Sequence, residues 1–300
     1  MGNKKLSIIT INYNNAEGLR QTLASVAMQT CREFEHIIVD GGSNDESVDI
    51  IREYESIISN RKSIILKWVS EKDNGIYDAM NKGVEIASGI RVVNALNRSE
   101  LVEDKNKGIK KATGDYLYFL NGGDVLADEK VIEGLMTQLG DADILVGRVN
   151  CVSNGTIVGQ TPLLSETDMS MYQMYLHGIN HQSAIIRRSI QLEHLYDATL
   201  KIGADWKFFV EAIVLGGAMV KFVDSIFANY DVSGVSSNTA QLRQEREKIL
   251  ADILPERIAR DYLAIAPHYY DVVRVEWLLH HPFWYKLYRG ITTFARKLNK

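Results

Sequence analysis

The sequence predicts an α/β fold, a mostly parallel sheet followed by a helical carboxy-terminal extension. Three observations predict it. Apolar runs over 6–12, 34–40, 64–69 and 116–120 alternate with segments of helical periodicity. Several of these runs end in small, polar or carboxylate residues, as at Asn12, Asp40 and, a few positions later, Asp124. From about Gln241 the pattern is helical to the end. Strands alternating with helices imply parallel pairing through right-handed crossovers. Ligands of such sheets bind beyond the carboxyl ends of the strands, which places Asn12, Asp40, Asp73 and Asp124 around one crevice.

In order along the chain, the strand at 6–12 is followed by an amphipathic helix over 17–29, with Leu19, Leu23, Val26 and Ala27 at helical spacing. A strand at 34–40 precedes a helix at 45–58 with Val48, Ile51 and Tyr54 on one side. The strand at 64–69 precedes a helix that begins at 76–82, and 116–120 is the fourth strand. Later strands are expected at 144–149, 156–159, 181–186 and 219–223, with a helix over 205–215 whose apolar face is Trp206, Phe209, Val210 and Ile213.

Composition narrows the function classes. The 300 residues, 46% hydrophobic and 24% charged, suit a globular protein with a sizeable core. A net charge of -4 gives no electrostatic reason for nucleic acid as partner. Cys31 and Cys151 stand far apart and outside any CxxC spacing, which argues against a disulfide framework or a zinc site and suits a reducing cytoplasm. The strand pattern begins by Leu6, leaving no room for a signal peptide, and no apolar run has the length of a membrane span. Neither GxGxxG nor GxxxxGK[ST] occurs, so dinucleotide oxidoreductases and P-loop hydrolases are excluded on sequence.

Four ordered blocks carry the remaining signal: Ser7–Asn15, Ile37–Asp45, Ser70–Gly83 and Asp115–Asp124. In this order they resemble the bacterial family 2 glycosyltransferases, which have the GT-A fold, a Rossmann-like nucleotide-binding sheet. The resemblance is closest to members that extend surface polysaccharides and carry an Asp-Asn-Gly-Ile-Tyr-Asp-Ala-Met-Asn-Lys-Gly block, here Asp73–Gly83. It implies a glycosyltransferase domain over 1–235 and a helical extension over 236–300. One feature interrupts the family pattern: Asn81–Gly89 recurs as Asn106–Gly114, so 84–108 reads as an insertion or tandem duplication. It is a surface loop, a lid over the donor or a partner contact, or an inactivating insert.

The resemblance implies an inverting, metal-dependent glycosyltransferase of the hexosyltransferase type. It would move a sugar from a nucleotide-sugar, a UDP-sugar by default, to a hydroxyl of a growing, lipid-linked surface glycan. The alternative is a catalytically impaired nucleotide-sugar-binding or scaffold protein. The donor-side positions are Thr10, Asn12, Tyr13, Asn14, Asp40, Asp73, Gly75, Tyr77, Asn81, Lys82 and Asn121. Asp40 and Asp73 match base contacts, although Asp40 could equally cap the next helix as an Asx turn. Asn121-Gly122-Gly123-Asp124 occupies the place of the Asp-x-Asp motif, with Asp124 the carboxylate for Mg2+ or Mn2+. Asn121 lacks the charge an aspartate would bring, which predicts weak metal binding without nucleotide.

Asp205, in Ile202–Phe209, matches the catalytic base, a carboxylate that takes the proton of the acceptor hydroxyl; an N-cap role is compatible with it. His181, Gln182 and Trp206 match the acceptor side, and His181 could also reach the metal. Arg187-Arg188 reads as a phosphate contact or an exposed strand end, and Ser233–Ser237 resembles the loop that closes over the donor in relatives. From Lys286 the tail has five basic residues and no acidic one, interleaved with aromatics. The expected location is cytoplasmic, with peripheral contact at the inner face of the cell membrane through 282–300, against the alternative of a packed helix with a solvated basic face.

Overall fold

The computed structural model describes residues 5–59, 64–91, 93, 114–232 and 239–298. Most of the repeat region and Ser233–Ser237 therefore lie outside the described residues. The chain divides into two compact units, Met1–Leu242 and Arg243–Lys300.

The first unit is built on a nine-stranded sheet. Strand β1 (Leu6–Asn12) pairs in parallel with β2 (Phe34–Asp40) on one side and β4 (Tyr116–Phe119) on the other, and β2 pairs in parallel with β3 (Ile65–Ser70). Every residue of β1, β2 and β4 is buried, which is why these strands read as continuous apolar runs. The register places Asn12 beside Asp40 and Asp40 beside Ser70, so three polar strand ends share one edge.

The crossovers are helical. Helix α1 (Ala16–Ala27) is capped by Asn15, whose side chain accepts from the Gly18 amide, and it buries Leu19, Leu23 and Val26. Helix α2 (Ser47–Ser59) buries Ile50, Ile51, Tyr54 and Ile58. Helix α3 (Ile76–Ala87) comes close to the sheet at Gly83, where a β-carbon would stand 2.4 Å from Ile9 Cγ2. Helix α3 also contains the first residues of the expected insert. Val84, Ile86 and Ala87 are core, because they complete its buried face.

The second half of the sheet is mixed. After the short strand β5 (Val125–Leu126) and helix α4 (Val131–Gln138) comes β6 (Ile144–Ser153), which pairs with an exposed edge strand, β7 (Thr156–Gln160). Helix α5 (Met171–Leu176) and a 3-10 turn at His181–Ser183 lead into β8 (Ala184–Arg187), which joins β4 to β6 by antiparallel pairing. Helix α6 (Arg188–Glu193) follows, then α7 (Ala204–Phe209), which continues as a π-helix over Val210–Leu215. The last strand, β9 (Val220–Asp231), is far longer than the apolar run at 219–223 suggests, because its later residues are half-buried against β6 and β5. The strand expected over 181–186 begins only at Ala184, its first residues winding into the 3-10 turn.

Arg187 donates to Asp143 Oδ1 at 2.8 Å and its guanidinium lies over the Tyr116 ring, while Arg188 donates to the Gly114 carbonyl at 2.7 Å. Both arginines thus tie strand ends together. The second unit is helical: most of α8 (Thr239–Ile253), then α9 (Glu256–Ile265), α10 (Tyr269–Leu279) and α11 (Pro282–Leu298).

Candidate active site

A cavity of about 400 Å³ opens at the carboxyl edge of the first unit's sheet. Its walls include Asn121–Asp124, His181, Gln182, Tyr77 and Asp205. These residues come from four elements far apart in sequence: the turn after β4, the 3-10 turn before β8, and the first turns of α3 and α7.

One wall is a hydrogen-bonded line. Asn121 Nδ2 lies 2.9 Å from His181 Nε2, and His181 Nδ1 lies 3.1 Å from Asp205 Oδ2. An amide nitrogen only donates, so Nε2 accepts and the ring proton sits on Nδ1, where it donates to Asp205. Both ring nitrogens are thereby engaged. The Tyr77 hydroxyl donates to the Ile202 carbonyl and lies 3.3 Å from Asp205 Oδ1. Burial, and then the charge of Asp205, hold this phenol far above its ordinary range, so it stays a neutral donor. Asp205 is not the N-cap of α7. That position is Gly203, and Asp205 sits in the first turn.

Next to this line lies Asp124, buried, with Oδ2 accepting from Gln182 Nε2 at 3.0 Å and from the Asn121 amide at 3.3 Å. No cation pairs with it among the described residues, and burial raises its carboxyl to about 6 despite those donors and the nearby His181. Beside it, Asn121 Oδ1 is buried with no hydrogen-bond partner. A buried carboxylate short of donors and an orphaned amide oxygen are hard donors of the kind Mg2+ or Mn2+ takes, and two protein ligands suffice where phosphates and water complete the shell. No cluster of three His, Cys, Asp or Glu side chains exists among the described residues, so the protein alone supplies no metal cage.

Other positions fall elsewhere. Asp40 is fully buried: Oδ1 accepts from Asn12 Nδ2 at 3.0 Å and from Ser43 Oγ at 2.5 Å, and Oδ2 from the Ser43 amide at 2.9 Å and Ser70 Oγ at 2.6 Å. It ties the ends of β1, β2 and β3 together and does not line the cavity. Thr10 is buried against His36, at 3.0 Å. Asn14 shapes the same turn, its amide donating to Ser43 Oγ at 2.8 Å. Asn81 brackets the Tyr196 backbone at 2.8 and 3.0 Å, and Lys82 is held by Glu71 at 3.2 Å and Asp78 at 3.4 Å.

Tyr13 is 63% exposed, and with Asp73 it flanks Gly41. A β-carbon at Gly41 would lie 2.5 Å from Asp73 Oδ2 and 3.2 Å from Tyr13 Cδ2. Asp73 and the Tyr13 ring thus pack closely on Gly41, and none of the three is among the cavity-lining residues. Gly75, at φ +124°, turns the chain into α3. Trp206 stands in the core, its indole N–H donating to the Met174 carbonyl at 2.7 Å, and does not line the cavity. Gln182 serves Asp124 rather than the Asp205 side. Sequence reading missed Asn15, whose Nδ2 donates to the Gly122 carbonyl at 2.9 Å, and the wall residues Lys201, Tyr230 and Asp231. The polar residues flanking the Asp205 block and the end of β9 were the signals available.

Residues 7–95 match the family model described as Glycosyl transferase family 2. Over those residues the chain is similar to that family. It is 27% identical over 237 residues to the PGL/p-HBAD biosynthesis glycosyltransferase of Mycobacterium tuberculosis, covering 78% of this chain and 79% of that protein. It is 26% identical over 161 residues to the poly(ribitol-phosphate) beta-N-acetylglucosaminyltransferase TarP of Staphylococcus aureus, over 52% of this chain and 39% of that protein.

Among solved structures, S. aureus TarS 1–349 in complex with UDP-GlcNAc superposes with a TM-score of 0.57 at 18% identity, covering 85% of this chain and 69% of that one. The chain spans only 42% of the longer TarS structure. The mannosyltransferase PcManGT from Pyrobaculum calidifontis, in complex with GDP-Man and Mn2+, gives 0.54 at 16% identity, over 82% of this chain and 63% of that one. The fold of the chain is accordingly GT-A, with a helical carboxy-terminal region.

Proposed function

We propose that this glycosyltransferase moves a sugar from a UDP-sugar to a hydroxyl of a growing, lipid-linked surface glycan, with inversion at the anomeric carbon. The observation that carries this reading is the meeting of Asp205 and Asp124 in one cavity, each supported by its own neighbour, His181 and Gln182. In the reaction, Asp205 takes the proton of the acceptor hydroxyl as its oxygen bonds to the anomeric carbon and the nucleotide diphosphate leaves. His181 aims the carboxylate through Nδ1–H, and Tyr77 braces the loop carrying it through the Ile202 carbonyl. Asp124 and Asn121 Oδ1 would hold Mg2+ or Mn2+. When bound, the cation supplies positive charge against the departing diphosphate. Tyr13, Gly41 and Asp73, which pack together, are the residues we assign to the base.

UDP is favoured because TarS was solved with UDP-GlcNAc, whereas the similar fold solved with GDP-Man and Mn2+ keeps guanosine in the test. The names of the relatives, in PGL/p-HBAD biosynthesis and poly(ribitol-phosphate) glycosylation, support a surface-glycan acceptor. A lipid-linked acceptor would put the enzyme at a membrane surface. The test is thermal unfolding with UDP, GDP, dTDP and CMP, each with and without Mn2+. A ligand at a hundred times its dissociation constant stabilises the fold by about 2.7 kcal/mol. Stabilisation by UDP that needs metal, with donor hydrolysis abolished in Asp205→Asn, is the expected result. Binding without hydrolysis would mark an impaired nucleotide-sugar-binding protein, and no response to any nucleotide would overturn the assignment.

A further inference from the structure

The second unit carries an exposed apolar face. In α11, Phe283, Trp284, Leu287, Tyr288 and Ile291 are all exposed, Phe283 by 72% and Ile291 by 61%. At 3.6 residues per turn, these positions fall within an arc of about 140° on one side of the helix. Lys286 and Arg289 fall on the opposite side and are exposed as well. Just before α11, Trp277 and Leu279 at the end of α10 are also exposed, and the Trp277 ring stacks on His281 at 4.0 Å.

Solvated helices of globular domains show the reverse, polar residues outward. The helix has 17 residues, and none among the described residues is long and apolar enough to cross a bilayer. From Lys286 to the end there are five basic residues and no acidic one. A second copy of this helix laid on the apolar face would cover the aromatics and leave the basic side unmatched. An anionic surface matches both faces at once, the aromatics entering the interface and the cations meeting phosphate.

We propose that α11 lies flat on an anionic lipid surface, with Phe283, Trp284, Leu287, Tyr288 and Ile291 buried in the headgroup region and Lys286 and Arg289 paired with lipid phosphates. The contact is made by the second unit and rests on the donor reading only in that a lipid-linked acceptor gives it a use.

Flotation of the full chain with phosphatidylcholine vesicles, with and without phosphatidylglycerol, tests it. Binding is expected on the anionic vesicles alone, with a blue shift of tryptophan emission. Each cation near such a surface is worth about a factor of five, so Lys286→Gln with Arg289→Gln should weaken binding about 25-fold. Leu287→Ser with Ile291→Ser should abolish the emission shift while leaving the thermal midpoint and lipid-free donor hydrolysis unchanged. Equal binding to neutral vesicles, or no binding to either, overturns the proposal. So does a lipid-free dimer by light scattering that the serine pair converts to monomer, which would show the face covered by a second copy. Metal-dependent stabilisation by UDP, read without lipid, reports separately on the donor site.

Discussion

Asp40 and Asp124 stand at the same sheet edge, on the strand and the turn that flank β1 on either side, and both are buried. Their surroundings are opposite. Asp40 accepts four hydrogen bonds from Asn12, Ser43 and Ser70 and locks three strand ends. Asp124 accepts from one side chain, Gln182, and from the Asn121 and Asp231 backbone amides; it faces the cavity and is pushed up to about 6 by burial. The difference teaches that a carboxylate at a strand end holds the fold where donors satisfy it, and is available to a ligand where they leave it short.

The largest effect separates chemistry from architecture. Asp205→Asn should lower transfer and donor hydrolysis by about 10²–10⁴-fold, measured as sugar release, with nucleotide-induced stabilisation unchanged. Loss of binding along with turnover would place Asp205 in the architectural class. Next, Asp40→Ala strands the donors of Asn12, Ser43 and Ser70 in the interior. It should cost about 3 kcal/mol and lower the thermal midpoint by about 10 °C, read by calorimetry. Unchanged stability would break the contrast.

Asp124→Asn should do the reverse. A carboxyl raised to about 6 in the fold is ionised at neutral pH at a cost the unfolded chain does not bear. The amide removes that cost, so the apo midpoint should rise by about 5 °C while metal-dependent UDP stabilisation disappears. Finally, as pH falls through about 6, Asp124 takes up a proton more readily folded than unfolded. Its contribution to apo stability then grows, while metal-dependent UDP affinity, followed by titration calorimetry, should fall about tenfold per pH unit. Metal dependence that persists unchanged well below that pH would remove Asp124 from the ligand set.

Much of the parallel half was legible because its strands are buried on both faces and its helices repeat at 3.6 residues. The order of Asp40, Asp73, Asp124 and Asp205 was legible too. Their roles were less so. Asp40 and Asp124 look alike in sequence, each beside glycines near the end of an apolar run, and nothing local tells how many donors each will meet. Trp206 sits next to Asp205, yet helical geometry sends its ring to the Met174 carbonyl and into the core. The end of β9 escaped notice because its apolar stretch, Ile226, Phe227 and Ala228, is short and set between polar residues.

The sequence by itself determined the alternation of strands and helices, the edge at which polar residues gather, and the amphipathic tail, because each follows from periodicity along the chain. Only the tertiary structure decided which carboxylate is satisfied and which is exposed to a ligand. The partners that decide it are remote: Gln182 is 58 positions from Asp124, His181 is 60 from Asn121, and Tyr77 is 128 from Asp205. Hydrogen bonding is short-ranged and directional, so it can be assigned only once folding has brought those groups within about 3 Å.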